Sequence, residues 1–197
     1  MTPNLILAST SPFRRAMLEN AGVRCATHSP GIDEGEIKSR LSGTEPVALA
    51  MALAEAKALA VSTAEPGNWV IGADQVLTLG GAIYDKPRDL AEARTHLREL
   101  SGREHRLVTA VCIARDGIVD WRYSDSASLR MRPLSEAFII RYLDAVGVEG
   151  TRSVGAYQIE GLGAQLFDHV QGDYFTILGL PLLPVLARLR EIGILET

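Results

Sequence analysis

The sequence predicts an α/β domain built on a mixed sheet. Strand-like and helix-like patterns interleave along the chain, and two hairpin signatures, at Gly80-Gly81 and at Arg115-Asp116-Gly117, interrupt the strict alternation. No internal repeat or long linker divides it. A doubly wound parallel sheet needs a helix between successive strands, whereas the hairpins place neighbouring strands antiparallel. With 197 residues, 47% apolar and 22% charged, the chain fits one domain over residues 1–197 that buries a core without staples.

Each element has a local cause. Asn4 to Ala8 is an apolar run that reads as a buried strand. Ser11 can cap the helix that follows, Pro12 suits its first position, and Gly22 ends it. Glu45 to Ser62 is rich in alanine and leucine and reads as a helix, with Thr44 as its cap and Pro46 in its first turn. Asn68 to Ala73 reads as a strand, and Gln75 to Leu79 and Ala82 to Asp85 flank the Gly80-Gly81 turn. From Asp89 to Leu100, the residues Leu90, Ala93, Leu97 and Leu100 share one helical face. His105 to Ala114 and Ile118 to Met131 form the second hairpin. Ser135 caps a helix to about Val146, a strand lies near Ala164 to Val170, and a last helix runs from Pro181 to about Gly193.

Charge and composition exclude several classes. A net charge of −4 argues against a broad basic face for nucleic acid. Cys25 and Cys112 have no metal or redox spacing, and the four histidines form no zinc motif. The run Leu5 to Ala8 is too short for a signal segment. The stretch from Ile177 to Ala187, broken by Pro181 and Pro184, is too short to span a bilayer. The expectation is a cytoplasmic protein with no membrane or nucleic-acid partner.

Chemistry concentrates in three stretches. In "ASTSPFRRAML" a strand runs through hydroxyl residues into a helix whose amino end favours an anion. Ser9, Thr10 and Ser11 can donate hydrogen bonds there, and Arg14 and Arg15 can grip phosphate in two-pronged fashion. Cations at that end oppose the helix dipole unless something negative sits against it; ordinary capping with two solvated arginines is the plain alternative. Asp33, Glu34 and Glu36 form an acidic group, and Asp74 follows the buried run Val70-Ile71-Gly72-Ala73, a place for a metal ligand or general base. Lys57, within an apolar helix, and Lys86, before Pro87, are candidate phosphate or carboxylate contacts. "VGAYQIEGLGAQLF" embeds Glu160 among glycines and matches neither a Rossmann fingerprint nor a P-loop.

Taken together, "LASTSPFRRAML", "GIDE", "LAEAKA", "IGADQVLTLGGAIYDKP", "GAYQIEGLGAQLF" and "GDYFTILGLPL" resemble the Maf family of nucleoside triphosphate pyrophosphatases. The blocks occur in the family's order over nearly the whole chain. The resemblance implies an elongated, inosine-triphosphatase-like mixed sheet with flanking helices and a central cleft, commonly a homodimer. It also implies hydrolysis of a nucleoside triphosphate to monophosphate and pyrophosphate with a divalent cation, Mg²⁺ or Mn²⁺. By position, Ser9, Arg14 and Arg15 match the phosphate-binding motif, and Glu34, Lys57, Asp74 and Lys86 match the polar cluster of the cleft. Asp74 matches the usual proton acceptor, and with Glu34 it would hold the cation; base and metal ligand both stay open for it.

Substrate choice falls on three positions. The branch resembling 7-methyl-GTP pyrophosphatases carries an aromatic, a glutamine and a glutamate at the places of Phe13, Gln75 and Glu160, as this chain does. The branch resembling dTTP/UTP pyrophosphatases carries arginine, threonine and glutamine there. An aromatic face attracts the cationic N7-methylated ring, and Glu160 can accept from the N1–H and amino edge of guanine. Phe13 stands where tryptophan is common, and Gly155-Ala156-Tyr157 is typical of the pyrimidine branch. Pyrimidine triphosphates are therefore the alternative substrates, and a nucleotide-binding regulator of septum formation or a nucleotidyltransferase the alternative functions.

Overall fold

The computed structural model describes residues 4–196, so the extreme ends of the expected 1–197 domain lie outside the described residues. Seven strands form one mixed sheet in the order β2-β1-β3-β5-β6-β7, with β4 paired to β3. The chain divides into two compact units, the first made of Met1–Gln75, Thr109–Asp125 and Tyr174–Thr197, the second of Val76–Val108 and Ser126–Asp173.

In the first unit, β1 (Leu5–Ala8) pairs in parallel with β2 (Ala26–His28) and with β3 (Trp69–Leu79). All four residues of β1 are buried, because both faces of the strand are covered. Leu5 and Leu7 pack with Leu18 of α1 (Pro12–Asn20), with Ile71, and with Val185 and Leu189 of α7 (Leu182–Glu191). Ile6, Ala8 and Val70 pack on the other face against Val61 of α3 (Pro46–Ala64). α3 is apolar on nearly every side and is long and apolar enough to cross a membrane by length and composition; here its buried stripe includes Ala50, Ala54, Lys57, Ala58 and Val61. α2 (Glu34–Arg40) and α6 (Tyr174–Ile177) complete the unit's helices.

In the second unit, β4 (Ala82–Tyr84) turns back on β3 through Gly80 and Gly81, both at positive φ as a primed hairpin turn requires. Asp89 and Ser135 cap α4 (Leu90–Leu100) and α5 (Glu136–Val146) through their side-chain oxygens. β5 (Glu104–Arg115) starts and β6 (Ile118–Met131) ends in this unit; their turn, Asp116 and Gly117, again both at positive φ, belongs to the first. β7 (Phe167–Gln171) pairs antiparallel with β6.

Four elements differ from expectation. The strand expected near Ala164 starts at Phe167, because the preceding residues form a 3-10 turn. The expected break between Ala73 and Gln75 does not exist, and β3 runs unbroken to Leu79. Thr44 caps nothing: its hydroxyl donates back to the carbonyl of Leu41 at 2.8 Å, and Glu45 stands at the cap position without a side-chain bond. The acidic stretch after Asp33, to which no element is assigned from sequence, forms a helix.

Candidate active site

Parallel pairing sends the carboxyl ends of β1 and β2 the same way along β3, the usual edge for a ligand in a parallel sheet. Ala8 stands opposite Gly72, so Ser9 leaves the sheet beside the segment that carries Asp74. Ser9 is buried, and its Oγ accepts the Ser11 N–H at 3.1 Å. The Ser11 Oγ accepts the Arg14 N–H at 3.4 Å. Each hydroxyl therefore keeps a proton to donate.

A mixed-charge cluster stands at this edge. The Lys57 ammonium lies 2.6 Å from Asp74 Oδ1 and 2.7 Å from Glu34 Oε1. Lys57 and Asp74 side chains are only 8% and 9% exposed, whereas Glu34 is 43% exposed. A lysine in an apolar helical stripe is tolerable only when paired, and these two carboxylates pair it. Asp74 Oδ1 is taken by the ammonium, so Oδ2 is the oxygen left to work with. Arg14 belongs to the same cluster: loss of water lowers its pKa, while the charges of Asp74 and then Glu34 raise it. Its Nε donates to the carbonyl of Gly179 at 2.7 Å, which leaves the outer nitrogens of the fork for a ligand. Asp33 holds α2 in place, its Oδ1 accepting the Glu36 N–H at 3.0 Å.

Gly72 explains why Lys57 meets Asp74. A Cβ there would stand 2.3 Å from the carbonyl oxygen of Ala54 and 2.6 Å from the nitrogen of Ala58. The backbone of α3 therefore lies directly on β3, and Lys57 falls between those two contacts. Gly72 and Asp74 are two residues apart on one strand, so they share a face. The expected constellation lacked this residue; a glycine inside an apolar strand run is the signal that points to such a close approach.

Gln75 is held by three acceptors. Its Nε2 donates to Thr109 Oγ1 at 2.9 Å and to the carbonyls of Thr176 and Ile177, each at 3.0 Å. Two carbonyl acceptors fix the amide orientation, since the flipped oxygen would face them. Thr109 Oγ1 also donates to the Thr176 carbonyl at 2.9 Å, and Thr176 Oγ1 donates to Asp125 at 2.8 Å. Only Oε1 of Gln75 is left for a substrate.

The remaining candidates are more open to solvent. Phe13 is half-buried on α1, and Arg15 is exposed with its Nε 2.7 Å from Glu19. The second unit carries Lys86, exposed in the link between β4 and α4, and Glu160, exposed in a turn after Tyr157.

Residues 4–192 match the family model described as Maf-like protein. The chain belongs to the Maf-like family. Among curated relatives, a protein of Rhizobium johnstonii named 7-methyl-GTP pyrophosphatase is 52% identical over the full length of both chains. One of Brucella suis with the same name is 53% identical over 97% of each. One of Hyphomonas neptunium named nucleoside triphosphate pyrophosphatase is 49% identical over the full length of both.

The site of this Maf-like chain can be tested against a divalent cation. Among the described residues no group of three or more histidine, cysteine or acidic side chains could hold a metal. Two carboxylates touching one ammonium do suit a hard cation that completes its shell with water and phosphate oxygens, the usual manner of Mg²⁺. Charge points the same way: Lys57 and Arg14 are already matched by Asp74 and Glu34, so the cluster has no excess positive charge to neutralise an added anion. Glu34 and Asp74 fit as the holders.

Proposed function

We propose that the chain hydrolyses a nucleoside triphosphate to the monophosphate and pyrophosphate, with the N7-methylated guanine nucleotide as preferred substrate. The observation that carries the reaction is the Glu34–Lys57–Asp74 cluster beside Arg14 at the strand ends. Water attacks the α-phosphorus, the bond to the bridging oxygen breaks, and pyrophosphate leaves. Asp74 Oδ2 takes the proton of the attacking water, while Lys57 holds the other oxygen and fixes the carboxylate. Arg14, Arg15 and Ser9 bind phosphate oxygens, and Lys86 adds positive charge for the polyphosphate. Mg²⁺ or Mn²⁺ held by Asp74 and Glu34 supplies, when bound, the remaining neutralisation of phosphate charge.

The base preference is supported by the names of the full-length relatives and by residue chemistry. Phe13 offers a face to the cationic ring, a term of about 0.5–2 kcal/mol. Glu160 accepts from the guanine N1–H and amino group, and Gln75 offers Oε1. The second reading, pyrimidine triphosphates, is favoured by Gly155-Ala156-Tyr157. A pyrophosphate-release panel of canonical and methylated nucleotides with Mg²⁺ or Mn²⁺ tests both. Preference for dTTP or UTP overturns the guanine reading; no hydrolysis of any nucleotide overturns the enzyme reading.

A further inference from the structure

Glu160 sits at the tip of a loop fixed far more tightly than an exposed turn requires. Gly155 has φ of 79°, and Ala156 follows at φ of 63°, a region that a residue with a Cβ seldom enters. Such backbone persists only where its surroundings over-determine it. Here Tyr142 donates from Oη to the Ala156 carbonyl at 3.4 Å, and Ser153 donates from Oγ to the Tyr157 carbonyl at 2.5 Å. Beyond Tyr157 the loop closes on itself: the Gly161 N–H donates to the Gln158 carbonyl at 3.2 Å. A Cβ on Gly163 would stand 2.4 Å from that same carbonyl oxygen.

The base of the loop is anchored in the interior of the second unit. Tyr157 is buried, and its Oη lies 2.7 Å from Nε2 of His105 on β5, which is also buried. Phe167 closes the group, with ring centroids 4.8 Å from Tyr157 and 5.9 Å from His105. Nδ1 of His105 is buried without a partner. A fully apolar pair would avoid that unsatisfied atom, so the polar contact is retained for something other than packing. On the other side of the loop a cavity of about 240 Å³ separates it from α5, lined by Tyr142, Val146, Gln158, Leu162 and Gly163. From that side the loop is held by two long polar contacts, Tyr142 to the Ala156 carbonyl and Gln158 Nε2 to the Glu149 carbonyl at 3.4 Å, and from the interior by the shorter His105–Tyr157 contact.

We infer that His105 and Tyr157 are positioning residues that hold the Glu160 loop in one conformation, so that the carboxylate reads a base edge from a preformed place. This rests on the reading that Glu160 meets the base. A carboxylate on a mobile turn would lose selectivity to reorganisation, whereas a locked one discriminates.

Tyr157→Phe tests the inference with the least disturbance, since it removes only the hydroxyl. Two quantities are read: amide hydrogen exchange over residues 158–163, and the ratio of kcat/KM for 7-methyl-GTP to that for dTTP. Exchange should quicken by about tenfold and the ratio fall by about tenfold, as expected for one lost buried hydrogen bond. The kcat on dTTP should stay within about twofold, which general loosening would not leave intact. His105→Gln, which keeps a hydrogen-bonding group toward Tyr157, should retain most of the ratio, and His105→Leu should not. Unchanged exchange in Tyr157→Phe overturns the locking, whatever the substrate is. Faster exchange with an unmoved ratio overturns the link to selectivity. An unsubstituted enzyme that shows no preference for 7-methyl-GTP instead removes the substrate reading, leaving the locking to be decided by exchange alone.

Discussion

Gly72→Ala adds a single methyl group where the structure has no room for one. The new Cβ would lie 2.3 Å from the Ala54 oxygen, against the 3.4 Å at which ordinary contact begins, so α3 must retreat by roughly 1 Å. Overpacking against backbone belongs at the upper end of the usual range, about 3 kcal/mol. For a chain of this size that corresponds to a fall in Tm of about 6–12 °C. The retreat also draws Lys57 away from Asp74, where the contact is 2.6 Å. A misplacement of about 1 Å in a catalytic group can cost about 10²-fold in rate. The assays are thermal unfolding and pyrophosphate release. Ala58→Gly in the same chain should not rescue, because the two shortest contacts, at 2.3 and 2.6 Å, are to backbone atoms. A Gly72→Ala protein with native Tm and turnover, or rescue by Ala58→Gly, would refute the claim that backbone contact at Gly72 sets the site.

Further outcomes follow from the same geometry. Lys57→Met leaves Asp74 buried beside Glu34 without its ammonium and should cost about 3–5 kcal/mol in urea unfolding. Glu34→Gln should cost less than about 1 kcal/mol, because the Glu34 side chain is 43% exposed and its ion pair is screened by water. Arg14→Ala should raise the KM for nucleotides well above the effect of Arg15→Ala in steady-state kinetics, since Arg14 shares the electrostatics of Asp74 and Glu34 whereas Arg15 is exposed against Glu19. Burial lowers the His105 pKa from 6.5 to about 4. Between those values the unfolded chain binds a proton that the folded chain refuses. Stability is then full above the unfolded value and falls on acidification by up to about 3 kcal/mol. Denaturant midpoints across that window should drop in the parent protein and flatten in His105→Gln.

The legibility of this molecule in its sequence follows the range of the interactions involved. β1, α1, α4, α5 and the two hairpins announce themselves through apolar runs, caps and glycine turns, all features within a few residues. α2 did not, because none of its seven residues is buried and it shows no apolar period. β2 is three residues long and exists by pairing with β1. Asp74 and Lys57 stand out as charges beside apolar runs, whereas Glu34 joins them only through the family resemblance, and nothing local says that one ammonium meets both carboxylates. Gln75 shows the limit most clearly: its carbonyl partners lie about 100 residues downstream, and no spacing rule predicts them.

Those distant partners also set when the site can be finished. Arg14 and Gln75 are translated early, yet their anchors are the carbonyls of Gly179, Thr176 and Ile177, separated from them by 165, 101 and 102 residues. A chain still being synthesised, or one stopped before Tyr174, holds the arginine and the glutamine but neither tether. Completion of this edge therefore waits for the segment from Tyr174 onward, and a shorter product would carry Arg14 and Gln75 without the means to aim them.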